Sequence, residues 1–294
     1  MPLMSAHGLV ANTKELTTEP DMPITPTPRL PGQETLLGSW GALMPASIGS
    51  HLMYTRTSFA AVYPNWAPLN NAVLLDPPSR AAASEAASEL HQVYSGAGVS
   101  SWALWLPGRA REFDAADSVT AVEGMVRDTS TLAMASDLTA GMPSHPGVLR
   151  TTVHAADVAG GRPIPADAVP DPDDSSDVDG WVLIYDEYAV AGAWTFRNGS
   201  DVGVYAVGTA PDWRRRGLAR ALMLHVLADG RRRGARTASL QSTRMGQPLY
   251  AQLGFRPVGR YDEWIPADRR QGEAMPVADP PARAPRELLL CASC

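Results

Sequence analysis

One stretch constrains this chain more than any other: Val202 to Leu227, reading VGVYAVGTAPDWRRRGLARALMLHVL. Val202, Val204, Ala206 and Gly208 alternate with Tyr205 and Val207, the period of a strand. Pro211-Asp212 ends that strand in a turn. A short glycine-containing loop, Arg214 to Ala219, then leads into a helix that is apolar nearly all round (Leu218, Ala221, Leu222, Leu224, Val226, Leu227). Such a helix is expected to be buried on more than one side.

A strand that feeds a glycine turn at a helix start builds an anion site. The first N–H groups of a helix have no partner within it, and the helix dipole is positive there. Gly217 and the small Ala219 let a ligand approach the backbone closely. Arg214, Arg215 and Arg216 add planar forks matched to phosphate oxygens. The expected ligand therefore carries a phosphate or pyrophosphate.

Two common phosphate-binding patterns are missing: no GxxxxGK[ST] and no GxGxxG occurs. The order Arg214-Arg215-Arg216-Gly217-Leu218-Ala219, or RxxGxA, instead resembles motif A of the GCN5-related N-acetyltransferases. Thirty residues on, Pro248-Leu249-Tyr250-Ala251-Gln252-Leu253-Gly254-Phe255 is similar to that family's closing LYxxLGF helix, and Thr237 to Ser242 reads as the strand between them. The resemblance covers residues 180 to 265. It implies an α/β fold with a mixed, mostly antiparallel sheet flanked by helices. It also implies that acetyl-CoA is the cosubstrate and that no metal takes part. The residues that would hold acetyl-CoA are Val207, Gly208, Thr209, Arg214, Arg215, Arg216, Gly217, Leu218 and Ala219.

At 294 residues the chain can hold one large domain or two of ordinary size. The formal charge of −6 argues against a general nucleic-acid surface, yet nine of its arginines lie between 201 and 250, which favours one local anionic ligand. The two cysteines, Cys291 and Cys294, fall in the last four residues with no second pair to complete a zinc site, and read as part of a flexible tail. No signal segment or membrane-length apolar run is evident, so a cytoplasmic location is expected, with no membrane partner.

In chain order, residues 1–33 form a Pro-rich arm. A helix is predicted near Leu37 to Ala46, and strands near Met53 to Val62, Asn71 to Leu75, Trp102 to Leu106 and Thr131 to Met134. Between them a long helix runs from Ser79 to Tyr94 before Gly96, and a short one from Ala115 to Glu123. This repeats the element order of the second half, and Ala121-Val122-Glu123-Gly124-Met125 precedes Ala251-Gln252-Leu253-Gly254-Phe255 by 130 residues. A diverged internal repeat follows. Segment 34–140 reads as a degenerate acetyltransferase-like domain, since Asp76-Pro77-Pro78-Ser79-Arg80 replaces the glycine loop; an unrelated α/β domain is the other reading. Segment 147–266 is the acetyl-CoA-binding domain, beginning with a strand at Val148 to Val153, and 267–294 is a tail. The Pro- and Asp-rich piece Gly160 to Gly180 stands where the family carries its first helices, and reads as a solvated loop or an acidic lid. Trp181 to Tyr188 and Ala189 to Phe196 read as strands, and Asn198-Gly199 as a hairpin turn.

Acyl transfer to an amine needs a neutral nucleophile, a positioned thioester, donors for the carbonyl oxygen and a proton for the departing sulfur. The resemblance places backbone groups of Val207 and Thr209 beside the thioester arm. It makes Tyr250 the candidate general acid, a phenol of ordinary pKa roughly 10; packing alone is the other role open to it. No general base stands out among Tyr205, Asp201, Glu187, Asp186 and His154, and His225 reads as a packed core histidine. The expected activity is N-acetylation of a primary amine on a small molecule by direct attack. Peptide acetylation and non-catalytic coenzyme-A binding are the alternatives.

Overall fold

The computed structural model describes residues 30–43, 49–113, 119–138, 142–153, 155–156, 162–172 and 178–268. His154, residues 115–118 of the predicted helix Ala115 to Glu123, and both cysteines lie outside the described residues; residues 119–123 are described and form no helix. The first half contains α1 (Gln33–Ala42), β1 (His51–Tyr54), β2 (Ser58–Val62), β3 (Asn71–Leu74), α2 (Arg80–Gly96), β4 (Ala103–Gly108) and β5 (Met125–Asp137). The second contains β6 (Val148–Thr151), β7 (Ile164–Pro165), β8 (Val178–Tyr185), β9 (Tyr188–Asn198), β10 (Asp201–Thr209), α3 (Leu218–Arg232), β11 (Thr237–Ser242), α4 (Gln247–Gln252) and β12 (Arg256–Pro266).

Local chemistry accounts for most of these boundaries. Ser79 caps α2 by accepting a hydrogen bond from the Ala82 N–H at 3.1 Å. Gly98 and Gly234 take left-handed φ two residues after α2 and α3, and Gly124 and Gly254 do so shortly before β5 and β12. Three expectations need correction. The single strand over Met53 to Val62 is a hairpin of β1 and β2, turned at residues 55–57. The first helix starts at Gln33 rather than near Leu37, with Leu30 already buried beside it. The strand at Thr131 to Met134 is the centre of the much longer β5.

The strands form one sheet in the order β1-β2-β3-β4-β12-β5-β11-β10-β9-β8-β6, with β7 attached to β9. In each half an antiparallel strand pair leads through a helix to a strand parallel to its second member: β2, β3, α2, β4 and then β9, β10, α3, β11. The last strands are exchanged. β12 pairs with β4 of the first half, β5 pairs with β11 of the second, and β5 and β12 pair with each other from Arg256↔Ala135 to Pro266↔Met125. Leu132 and Met134 of β5 therefore complete the core under α3, while Trp264 of β12 completes the core under α2. Neither half buries its apolar face without a strand from the other.

The opposite face of the sheet is closed by α1. Leu36, Leu37 and Trp40 pack with Phe59, Val73 and Tyr63 of the first half and with Trp194 and Tyr205 of the second. The Tyr63 hydroxyl donates to the Trp40 carbonyl. Close approach explains a glycine here: a Cβ at Gly38 would lie 2.8 Å from Cε1 of Phe196. The expectation that α3 is buried on several sides holds only in part. Leu222, Met223, Val226 and Leu227 form one buried face, and Arg220, Arg231 and Arg232 face solvent. The end of α3 is fastened to β8 by Arg233, which pairs with Asp179 and with Asp229 at 3.3 Å.

Candidate functional site

The parallel partners β10 and β11 pair only over Asp201↔Thr237, Val202↔Ala238 and Gly203↔Ser239. Beyond Gly203 the two strands separate. The closed end is held by the Asp201 carboxylate, which accepts from the Thr237 hydroxyl at 2.7 Å and the Ser239 hydroxyl at 2.6 Å. This gives Asp201 a structural part and removes it from the candidate bases. On its other side β10 stays paired to β9, with an irregularity between Tyr205 and Gly208 where Ala206 takes φ 50°. That bulge bends the upper half of the strand away from β11. Val207, Gly208 and Thr209 thus line one arm of a V-shaped opening.

The mouth of the opening is the turn before α3. Residues Pro211–Trp213 make a single 3-10 turn, Arg215 takes φ 66° and Gly217 φ 77°. Gly217 caps α3 without any side-chain hydrogen bond, no acidic residue lies in the first turn, and a Cβ at Gly217 would meet nothing within 4 Å. A helix start whose first N–H groups lack a side-chain cap and face open space fits a pyrophosphate. Arg214, Arg215 and Arg216 are all exposed beside it. Arg214 Nε donates to the Thr209 carbonyl at 3.0 Å, and Arg216 donates to the Asp212 carbonyl at 3.3 Å while stacking 4.9 Å from the Trp213 ring. These bonds brace the loop. Leu218 is buried and Ala219 half-buried, so in this structure their side chains serve packing.

Tyr250 packs in the core shared by β10, β11 and α3. It belongs to the apolar cluster that includes Val204 and Leu240, with Val207 and Trp213 packed against it. Its ring meets Phe255 edge-on at 6.0 Å between centroids and lies against Gly246, where a Cβ would approach Cε2 to 2.8 Å. Burial pushes its phenol up to about 12, so it holds its proton throughout the neutral range.

The remaining candidates are dispersed. Asp186 and Glu187 form the exposed β8–β9 turn with φ 50° and 64°. Tyr205 packs on Trp194 at 4.3 Å, on the α1 face of the sheet. His225 is a packed histidine, as expected: its Nδ1 lies 3.0 Å from the Ser144 hydroxyl, its ring meets Trp181, and burial lowers its pKa. Of the Gly160 to Gly180 piece, the described part is fastened to the sheet. Ile164 pairs with Ala189, and the Thr151 hydroxyl donates to the Pro170 carbonyl at 2.6 Å.

A second feature was not anticipated from the sequence. β5 continues past the end of β11, because Ser242 already pairs with Leu132. Above that point lies a cleft of about 690 Å³, lined in part by Phe113, Arg127, Asp128, Thr129, Arg244 and Met245. Glu263 on β12 pairs with Thr129 across the strands. Burial, reinforced by the neighbouring Asp128 carboxylate, pushes its pKa up to about 7. The available signal was Asp262-Glu263 between Tyr261 and Trp264, two acids inside an otherwise apolar strand.

Residues 177–257 match the family model described as an acetyltransferase (GNAT) domain. No curated protein matches the chain. Among solved structures, a GCN5-related N-acetyltransferase from Kribbella flavida is 19% identical, with 78% of this chain and 94% of that chain covered and a TM-score of 0.55. A GNAT-family protein from Novosphingobium aromaticivorans is 20% identical over 78% and 96% of the two chains, with a TM-score of 0.48. A tandem GNAT protein from the clavulanic acid biosynthesis pathway is 13% identical over 76% and 85%, with a TM-score of 0.47. At these identities the likeness to the Kribbella protein is one of fold.

Proposed function

From the GNAT acetyltransferase domain at 177–257, we propose that the chain is an acetyl-CoA-dependent N-acetyltransferase acting on a primary amine of a small molecule. The observation that carries this is the separation of β10 from β11 beyond Gly203 with the uncapped start of α3 at its mouth. When bound, acetyl-CoA supplies an activated thioester. The α3 N–H groups and the arginines of the preceding loop hold its pyrophosphate. Backbone groups of Val207 and Thr209 orient the thioester arm and donate to its carbonyl oxygen. In the transfer, the acceptor nitrogen forms the new C–N bond as the C–S bond breaks. One proton of the ammonium ends on the departing sulfur and one in solvent. Tyr250, which holds its proton throughout the neutral range, supplies the proton to sulfur and takes back one of the two given up by the ammonium.

The first half acts as a scaffold and holds no second cofactor. Its turn after β3 reads Asp76-Pro77-Pro78, and the start of α2 is capped by Ser79, which occupies the donor an anion would need. The test is calorimetric titration of acetyl-CoA. One site per chain is expected, lost in Gly217→Glu, where a carboxylate enters the open space in front of α3. Equal affinity in Gly217→Glu, or two equivalent sites, would refute the proposal. Thioester consumption with a panel of amines separates an enzyme from a coenzyme-A-binding module.

A further inference from the structure

β11 is one arm of the opening, and it ends at Ser242. A short turn then leads to α4, which carries Tyr250. That turn is tied at one atom. The Thr243 carbonyl accepts from the Gly246 and Gln247 N–H groups, both at 3.1 Å, and from the hydroxyl of the fully buried Ser242 at 2.8 Å. The Gly246 carbonyl in turn accepts from the Tyr250 N–H at 3.2 Å. The end of β11 thus fixes where α4 starts, and the start of α4 fixes the backbone of Tyr250.

Nothing in the backbone calls for glycine at position 246. Its φ of −79° and ψ of −26° are open to any residue. A serine, aspartate or asparagine there could also accept from the helix N–H groups that Gly246 leaves without a side-chain cap. The ring of Tyr250 supplies the reason for glycine. A Cβ at position 246 would lie 2.8 Å from Cε2 of Tyr250, and 3.5 Å and 3.6 Å from the Ser242 and Thr243 hydroxyl oxygens. Phe255 meets the same ring edge-on at 6.0 Å between centroids. The missing side chain lets the phenol ring lie flush against the turn that ends β11.

Resting on the reading of Tyr250 as proton donor, we propose that Gly246 is a positioning residue for the transfer: by presenting no side chain, it lets the Tyr250 phenol stand at the end of β11, where it serves the departing sulfur. A methyl group at 246 moves the ring more readily than the fold, because Cε2 is the far end of a side chain. Carbon atoms in ordinary contact stand about 3.5 Å apart, so the ring would shift by roughly 0.7 Å. A misplacement of about 1 Å at a reacting group can cost about 10²-fold in rate.

The test is a double-variant cycle on the full chain, with thiol release from acetyl-CoA as the readout. Lysine, spermidine, phenethylamine and glucosamine are offered as acceptors, and the one used fastest is kept. If none is used, hydrolysis of acetyl-CoA by water, which must also protonate the departing sulfur, is followed instead. Gly246→Ala should lower kcat by about tenfold or more, with acetyl-CoA affinity by calorimetry within about twofold of wild type. Added to Tyr250→Phe, the same change should alter kcat by less than about twofold, since no phenol proton is left to misplace. Ser242→Ala, which removes the support of the Thr243 carbonyl, should lower kcat about threefold, again only where Tyr250 is intact, and it carries the test if Gly246→Ala does not fold. The proposal is overturned if Gly246→Ala keeps more than about half of wild-type kcat, if either change costs the same factor with and without Tyr250, or if no thiol is released in either assay. Should Tyr250→Phe itself keep its kcat, the proton-donor reading fails and this inference with it; a fall in Tyr250→Phe with none in Gly246→Ala sinks this inference alone.

Discussion

Raising the pH from 5 to 8 should destabilise this protein through one side chain, Glu263. The residue sits on β12, between β4 and β5, in register with Trp105 and Thr129, and Asp128 is the charged neighbour of its carboxyl. The folded state therefore holds a proton that the unfolded chain releases earlier. Its pKa is raised from 4.5 to about 7. For a raised carboxyl the stabilising contribution is complete below 4.5 and is lost as pH climbs through 7. At 1.36 kcal/mol per unit of pKa the full span is about 3 kcal/mol, of which about 2.5 kcal/mol falls between pH 5 and pH 8. Glu263→Gln keeps the shape and cannot ionise. Urea denaturation of both proteins at pH 5, 6, 7 and 8 should show wild type losing about 2.5 kcal/mol relative to the variant across that range. Parallel curves, with no pH-dependent difference, would show that Glu263 is solvated as an ordinary carboxylate.

Further outcomes follow from the site and the exchanged strands. Arg214→Ala should weaken acetyl-CoA binding by about 1–3 kcal/mol through lost charge-assisted contact and a looser loop, measured by calorimetry. Tyr250→Phe should leave acetyl-CoA affinity within a few-fold and lower kcat by roughly 10²-fold; more than about half of wild-type kcat, where chemistry limits turnover, would assign Tyr250 to packing alone. Because its phenol is pushed up to about 12, no basic limb from Tyr250 should appear in the pH–rate profile below about pH 10. Leu132→Ala, on a fully buried first-half residue that packs in the second-half core, should cost about 2–5 kcal/mol and lower the unfolding of both halves together; two separate transitions, with only one shifted, would contradict the coupling of the halves through β5 and β12.

Much of the β10–α3 side of the opening was legible in the chain itself. The alternation from Val202 to Thr209, the stop at Pro211, Gly217 before a run of apolar residues, and Leu249 to Phe255 are local instructions. Each acts on the backbone within a few residues, and each element appears where its residues place it. Gly124 and Gly254, both left-handed, mark the repeat for the same reason. The exchange of β5 and β12 was not legible, because strand pairing is chosen among partners far apart in sequence, and alternation says which face is apolar but not which edge is taken. The separation of β10 from β11 depends on a bulge at Ala206 and on Asp201 clamping the closed end, and neither is written in residue type alone. Glu263 shows the difference most plainly. In the sequence it is one acid among many. Only the neighbours that the tertiary structure sets around it, an apolar sheet face and the Asp128 carboxylate, remove its water and change its chemistry.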